Sequence, residues 1–115
     1  NEEVDEQIVF TENDFFEKQD EGELITWLVP NSLKNEMEPI LLTLQPSIST
    51  TEDMPHEGEE FGYVLQGSAV LHLGKKSYRI DAGNSFYFTS KKRHYIENDT
   101  QEVTKILWVS SPPTF

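Results

Sequence analysis

Three side chains in this sequence could meet on one small solute or ion. His56 lies four residues before Glu60, in the stretch from Met54 to Gly67. His94 lies thirty-eight residues after His56, directly behind the basic cluster Lys91, Lys92 and Arg93. Imidazole and carboxylate both serve as metal ligands and as acid/base groups. Two imidazoles and one carboxylate form a face that holds a divalent metal (Fe, Mn, Ni or Zn) and leaves positions open for solute. The plainer alternative is that His56 and His94 hydrogen-bond Glu60 and no metal is bound. A third histidine, His72, shares strand parity with Ser68 and Val70 and is expected on the solvent side. Lys91 to Arg93 suit either a lip that draws an anionic ligand or a solvated turn paired with nearby acids.

The elements that would position these groups are strands. Phe61 to Leu65 is rich in strand formers and ends at Gly67. Parity puts Phe61, Tyr63 and Leu65 on one face and Glu60, Gly62, Val64 and Gln66 on the other. Further strands are expected at Ile8 to Phe10, Glu23 to Val29, Glu38 to Gln45, 68–73, Ser77 to Ile80, Ser85 to Phe88, from Tyr95, and Val103 to Val109. A short helical turn is expected from Asn13 through Lys18, and turns at 20–22, Lys75-Lys76, 81–83 and 98–99. Leu24, Thr26 and Leu28 oppose Ile25, Trp27 and Val29, so that strand is expected to be covered on both faces. Ile40, Leu42 and Leu44 share a core face. Eight or nine short strands between Gly, Pro and Asn turns imply an antiparallel sandwich or barrel.

The spacing resembles that of the cupins. His56, Glu60 and Gly67 match the second His, the Glu and the Gly of the first cupin motif, while Met54 stands at its first His. Gly83, His94 and Asn98 match the second motif, with Thr89 and Lys91 in place of its usual Pro and Gly. Fifteen residues separate Gly67 from Gly83, as in many microbial cupins. The texture from Gly58 to Gly67, together with Leu107 to Phe115, is similar to the C-terminal sensor domain of Xre-type helix-turn-helix transcription regulators. The resemblance implies an all-β double-stranded β-helix (a jelly roll, or cupin barrel) over 8–115, with 1–7 as the end of an acidic linker. It implies that His56, Glu60 and His94 converge as metal ligands inside the barrel. Met54 leaves the set one ligand short: a thioether is a poor ligand for these metals, so a metal-free site is the alternative. Tyr63 and Trp108 are the ligand-binding candidates, although Trp108, like Trp27, reads first as a core aromatic.

Composition narrows the partners. The chain has 115 residues, enough to bury a core, and a net charge of −12. Such a charge repels phosphate backbones, so DNA contact is expected only through a helix-turn-helix domain absent from this chain. No cysteine is present, which excludes disulfides and thiolate metal sites. No apolar run reaches membrane-spanning length. The start at Asn1 without Met suggests a fragment or a processed chain. The leading expectation is a cytoplasmic, homodimeric sensor that binds a small-molecule effector in the barrel. The alternatives are a metal-dependent enzyme, such as a dioxygenase or an isomerase, and a sugar-binding or structural cupin without metal.

Overall fold

The computed structural model describes residues 6–30 and 34–115. The expected linker end therefore falls outside the described residues except at Glu6 and Gln7. Among the described residues there are nine strands: β1 Phe16–Asp20, β2 Glu23–Trp27, β3 Glu38–Leu44, β4 Glu59–Gln66, β5 Ser68–Leu73, β6 Lys76–Asp81, β7 Ser85–Thr89, β8 His94–Glu97 and β9 Thr104–Ser111. Six form one sheet in the order β1-β2-β3-β9-β4-β7, and three form a second in the order β6-β5-β8. Every strand pairing is antiparallel. Among the described residues there is no α-helix. The two sheets make the jelly roll that the sequence implies.

Alternation builds the core. Every second residue of β3 and β9 is buried. Ile40, Leu42, Leu44, Val64, Ile106 and Trp108 from the large sheet meet Ala69, Leu71, Ile80 and Ile96 from the small one in a single buried cluster. Register stacks these side chains into rungs: Leu42, Ile106 and Val64 are direct cross-strand neighbours, and so are Ile40, Trp108, Gly62 and Phe86. One step along the strands, the inner-face rung becomes Glu38, Ser110, Glu60 and Phe88. All four are buried. Thus the apolar filling ends and a polar layer begins within one rung, and that layer carries the site.

Two glycines set this geometry. At Gly62 the Phe86 ring lies directly over the backbone and meets Trp108 edge-on, with ring centroids 5.7 Å apart. A side chain at 62 would overlap that ring. Gly67 turns β4 into β5 at φ +80°, where an added Cβ would sit 2.6 Å from the Val103 carbonyl oxygen.

Several local expectations need correction. Ile8 to Phe10 finds no partner strand, and Ile8 and Val9 stay exposed. The turn near Asn13 covers only 12–14, where the Thr11 amide donates to the Asp14 carboxylate. The chain then runs into β1, because the free edge of β2 pairs with it from Phe16↔Trp27 to Asp20↔Glu23. Strand β2 stops at Trp27, and only Thr26 of its residues is fully buried. The β5–β6 hairpin turns at Gly74 and Lys75, with Lys76 already in β6.

Candidate metal centre

Three routes bring the groups together. β4 parity turns Glu60 inward at 1% exposure. His56 comes from the extended segment before β4, held where its amide donates to the Ser90 carbonyl. His94 opens β8 opposite Leu73, and it also exchanges both backbone hydrogen bonds with Asp53. One ligand atom from each of His56, Glu60 and His94 lies within 4.8 Å of the others. His94 Nε2 is 2.8 Å from Glu60 Oε2, and His56 Nε2 is 3.5 Å from the same oxygen.

The imidazole orientation suits a cation. His56 Nδ1–H donates to the Glu57 carbonyl at 2.9 Å, and His94 Nδ1–H donates to the Lys92 carbonyl at 3.0 Å. Backbone acceptors on Nδ1 leave each Nε2 for the cavity, as in metal-ligating histidines. Ser90 donates its hydroxyl to Glu60 Oε2 at 2.7 Å and fixes the carboxylate. Among the described residues His56 Nε2, Glu60 Oε1 and His94 Nε2 are buried without a hydrogen-bond partner. The 2.8 Å approach of His94 Nε2 to Glu60 Oε2 is a close polar contact that becomes an ion pair only when His94 is protonated. Adjacent ligands about 2.1 Å from one cation sit about 3–3.5 Å apart, and the two contacts on Glu60 Oε2, at 2.8 and 3.5 Å, are close to that range. Buried orphan polar atoms are costly unless something satisfies them. The residues therefore fit a divalent metal, which would supply a Lewis acid and an anchoring point.

Without a metal, electrostatics favours a charged His94. Burial alone lowers its pKa, but the Asp53 and Glu60 carboxylates and the Lys92 carbonyl outweigh it and raise the value to about 10.

The remaining candidates are placed differently. Met54 is exposed and lies outside the set. Tyr63 sits on the opposite face of β4 from Glu60 and is 39% exposed. Period-two alternation points it outward, away from the face that carries Glu60. Trp108 faces inward at the site's edge, its ring centroid 6.4 Å from that of His94. It lines a cavity of about 210 Å³ together with Asp53, Ile25, Ile40, Leu42 and Phe115. Its buried indole N–H has no partner among the described residues. His72 is not simply solvated: its Nε2 lies 2.8 Å from Glu97, and its ring stacks on Tyr95 at 4.3 Å. In the basic loop Arg93 faces Glu52 at 3.7 Å, so what the loop gives the site is the Lys92 carbonyl. Asn98 is structural; its amide donates to the carbonyls of Leu44, Gln45 and Glu102. Sequence reasoning missed Asp53 and Ser90. The signal for Asp53 was a carboxylate one residue before the position where the motif lacks its His.

Comparison with known proteins follows the geometry. The cupin domain family model matches residues 40–110, more than half of the chain. The chain belongs to the cupin domain family. It is 30% identical over 109 residues to the HTH-type transcriptional regulator PuuR of Escherichia coli (strain K12), covering 95% of this chain and 59% of that protein. The chain thus spans about three fifths of that curated relative's length. Its fold is similar to the cupin domain of an XRE family transcriptional regulator from Enterobacter cloacae (TM-score 0.72, 17% identity, 82% of this chain and all of that one). It is also similar to a protein from Thermotoga maritima described as a predicted oxalate decarboxylase (TM-score 0.78, 20% identity, 90% of this chain and 98% of that one). No helix of the described residues is long and apolar enough to cross a membrane.

Proposed function

We propose that this chain is the effector-sensing module of a cytoplasmic helix-turn-helix transcription regulator, with a small molecule bound in the barrel beside a metal held by His56, Glu60 and His94. The observation that carries this reading is the convergence of three buried, unpartnered ligand atoms next to a cavity edged by the unpaired Trp108 indole N–H. The extended match to a regulator of that type supports the sensing role. DNA contact would belong to residues outside this chain, since a charge of −12 disfavours phosphate. Effector binding would act by differential affinity for two arrangements of the attached DNA-binding units.

A second copy of the chain is the proposed partner. Phe61, Tyr63 and Leu65 expose an apolar face of the large sheet, continued across strands by Tyr87, Val109 and Leu107. Two self-complementary patches of this kind suit a two-fold dimer.

The test is to strip the purified chain with chelator, reload it with Fe²⁺, Mn²⁺, Ni²⁺ or Zn²⁺ singly, and screen small solutes by thermal shift. One metal per chain and a solute-dependent rise in Tm are expected. Absence of metal uptake removes the metal centre, and absence of any solute response removes the sensor reading. The metal-dependent enzyme reading draws on the same three ligands. Turnover of a solute by the reloaded chain would favour it.

A further inference from the structure

We propose that the outer face of the small sheet carries a second binding site, for a phosphate group, built by Lys75, Lys92 and Arg93 and separate from the metal centre. Parity sets the place. Leu71, His94 and Ile96 are buried in the barrel, so their neighbours His72 and Tyr95 point out. There His72 and Tyr95 wall a cavity of about 380 Å³. Lys75 reaches it from the β5–β6 turn, Lys92 and Arg93 from the loop before β8, and Glu52 from the segment ahead of β4. The two loops are fixed against each other. The Gly74 amide donates to the Arg93 carbonyl at 2.8 Å, and the Lys92 stem lies over Gly74, its Cδ 3.1 Å from where a side chain at 74 would begin. His72 is held as well. Its Nε2 lies 2.8 Å from Glu97, its Nδ1 lies 3.0 Å from the Ser77 hydroxyl, and its ring stacks on Tyr95.

The charge pattern decides what fits. The chain has 9 Lys and Arg against 21 Asp and Glu. With carboxylates so plentiful, each cation is expected to find one. Yet among the described residues Lys75 and Lys92 form no ion pair, and Arg93 meets only Glu52, at 3.7 Å. Three scarce cations thus border one cavity with a single carboxylate among them. Like charges gathered in this way repel, and an anion seated between them relieves the repulsion. Arg offers a planar fork and Lys a point charge, both of which phosphate accepts. A phosphoryl group brings three acceptor oxygens and about two negative charges, enough to meet donors from two loops, whereas a carboxylate brings a single charge. The basic run at 91–93 then has two uses: Lys92 turns its carbonyl to His94 and its side chain to the outer cavity.

The test titrates the purified, metal-stripped chain, dialysed free of chelator, with inorganic phosphate, phenyl phosphate and acetate in about 0.1 M NaCl, read by calorimetry. Saturable phosphate binding is expected. Lys75→Ala and Lys92→Ala should each weaken it about threefold to tenfold, and the double variant more. Glu52→Gln releases Arg93 and should tighten it about twofold. Lys91→Ala is the control, because it removes the same charge from the same loop but not from the cavity wall; it should stay within about twofold. The Tm of each variant checks that the fold is kept. Tighter binding of phenyl phosphate than of inorganic phosphate assigns the site to a phosphorylated solute, and equal or weaker binding assigns it to free phosphate. Absence of saturable phosphate binding, acetate bound as tightly as phosphate, or an equal loss in Lys91→Ala overturns the site and leaves the metal centre standing.

Discussion

His94 offers a sharp test of the electrostatics, because its charge state should control stability in the metal-free protein. Its pKa is raised to about 10 in the fold. In the unfolded chain it would return to about 6.5. A raised pKa means that the folded state holds the proton more tightly. The stabilisation is therefore fully present below about pH 6.5 and is lost as pH rises through about 10. At about 1.4 kcal/mol per pH unit the ceiling is about 5 kcal/mol. Asp53 is half-exposed, so solvent screens its share, and a fall of about 2–3 kcal/mol is expected. The assay is urea unfolding in chelator at a series of pH values from 6 to 10.5. His94→Asn serves as the reference, since it cannot titrate. The wild-type midpoint should fall across this range relative to the variant. If the two proteins keep a constant difference from pH 6.5 to 10, the carboxylates do not hold a proton on His94 and the account of the site is wrong. With saturating metal the sign reverses: the metal displaces the proton, so its apparent affinity should rise with pH.

The other predictions follow from packing and assembly. Gly62→Ala places a methyl group in the Phe86 ring and should destabilise the chain by about 1–3 kcal/mol in chemical denaturation; a neutral result would mean that Phe86 moves freely. Asn98→Ala strips a donor from three carbonyls and should cost roughly 2–4 kcal/mol without altering metal uptake in the stripped-and-reloaded chain. Tyr63→Lys puts a charge at the centre of the exposed apolar face and should halve the mass seen by light scattering at micromolar concentration, with Tm tracking concentration in the wild type. A wild-type chain that is already monomeric would remove the dimer.

What could be read from the sequence depended on how local the signal was. The inward turn of Glu60 and the outward turn of Tyr63 follow from alternation within one strand, and β4 shows both. The triad was legible through the spacing of two short motifs, each strand-borne and each tied to a glycine turn. Strand β1 was not legible, because Phe16 to Asp20 has no apolar face of its own and is strand only by pairing with β2. Asp53 was hidden for a related reason: its direction is set by a bridge to a residue forty-one positions away. Ser90 holds Glu60 from just past the end of β7, where no periodicity speaks. The half-burial of His72 likewise needs Tyr95 and Glu97 from the neighbouring strand. The boundary between the legible and hidden parts therefore follows contact range: alternation within one strand is written in the sequence, whereas a side chain aimed by a bridge or a neighbouring strand is not.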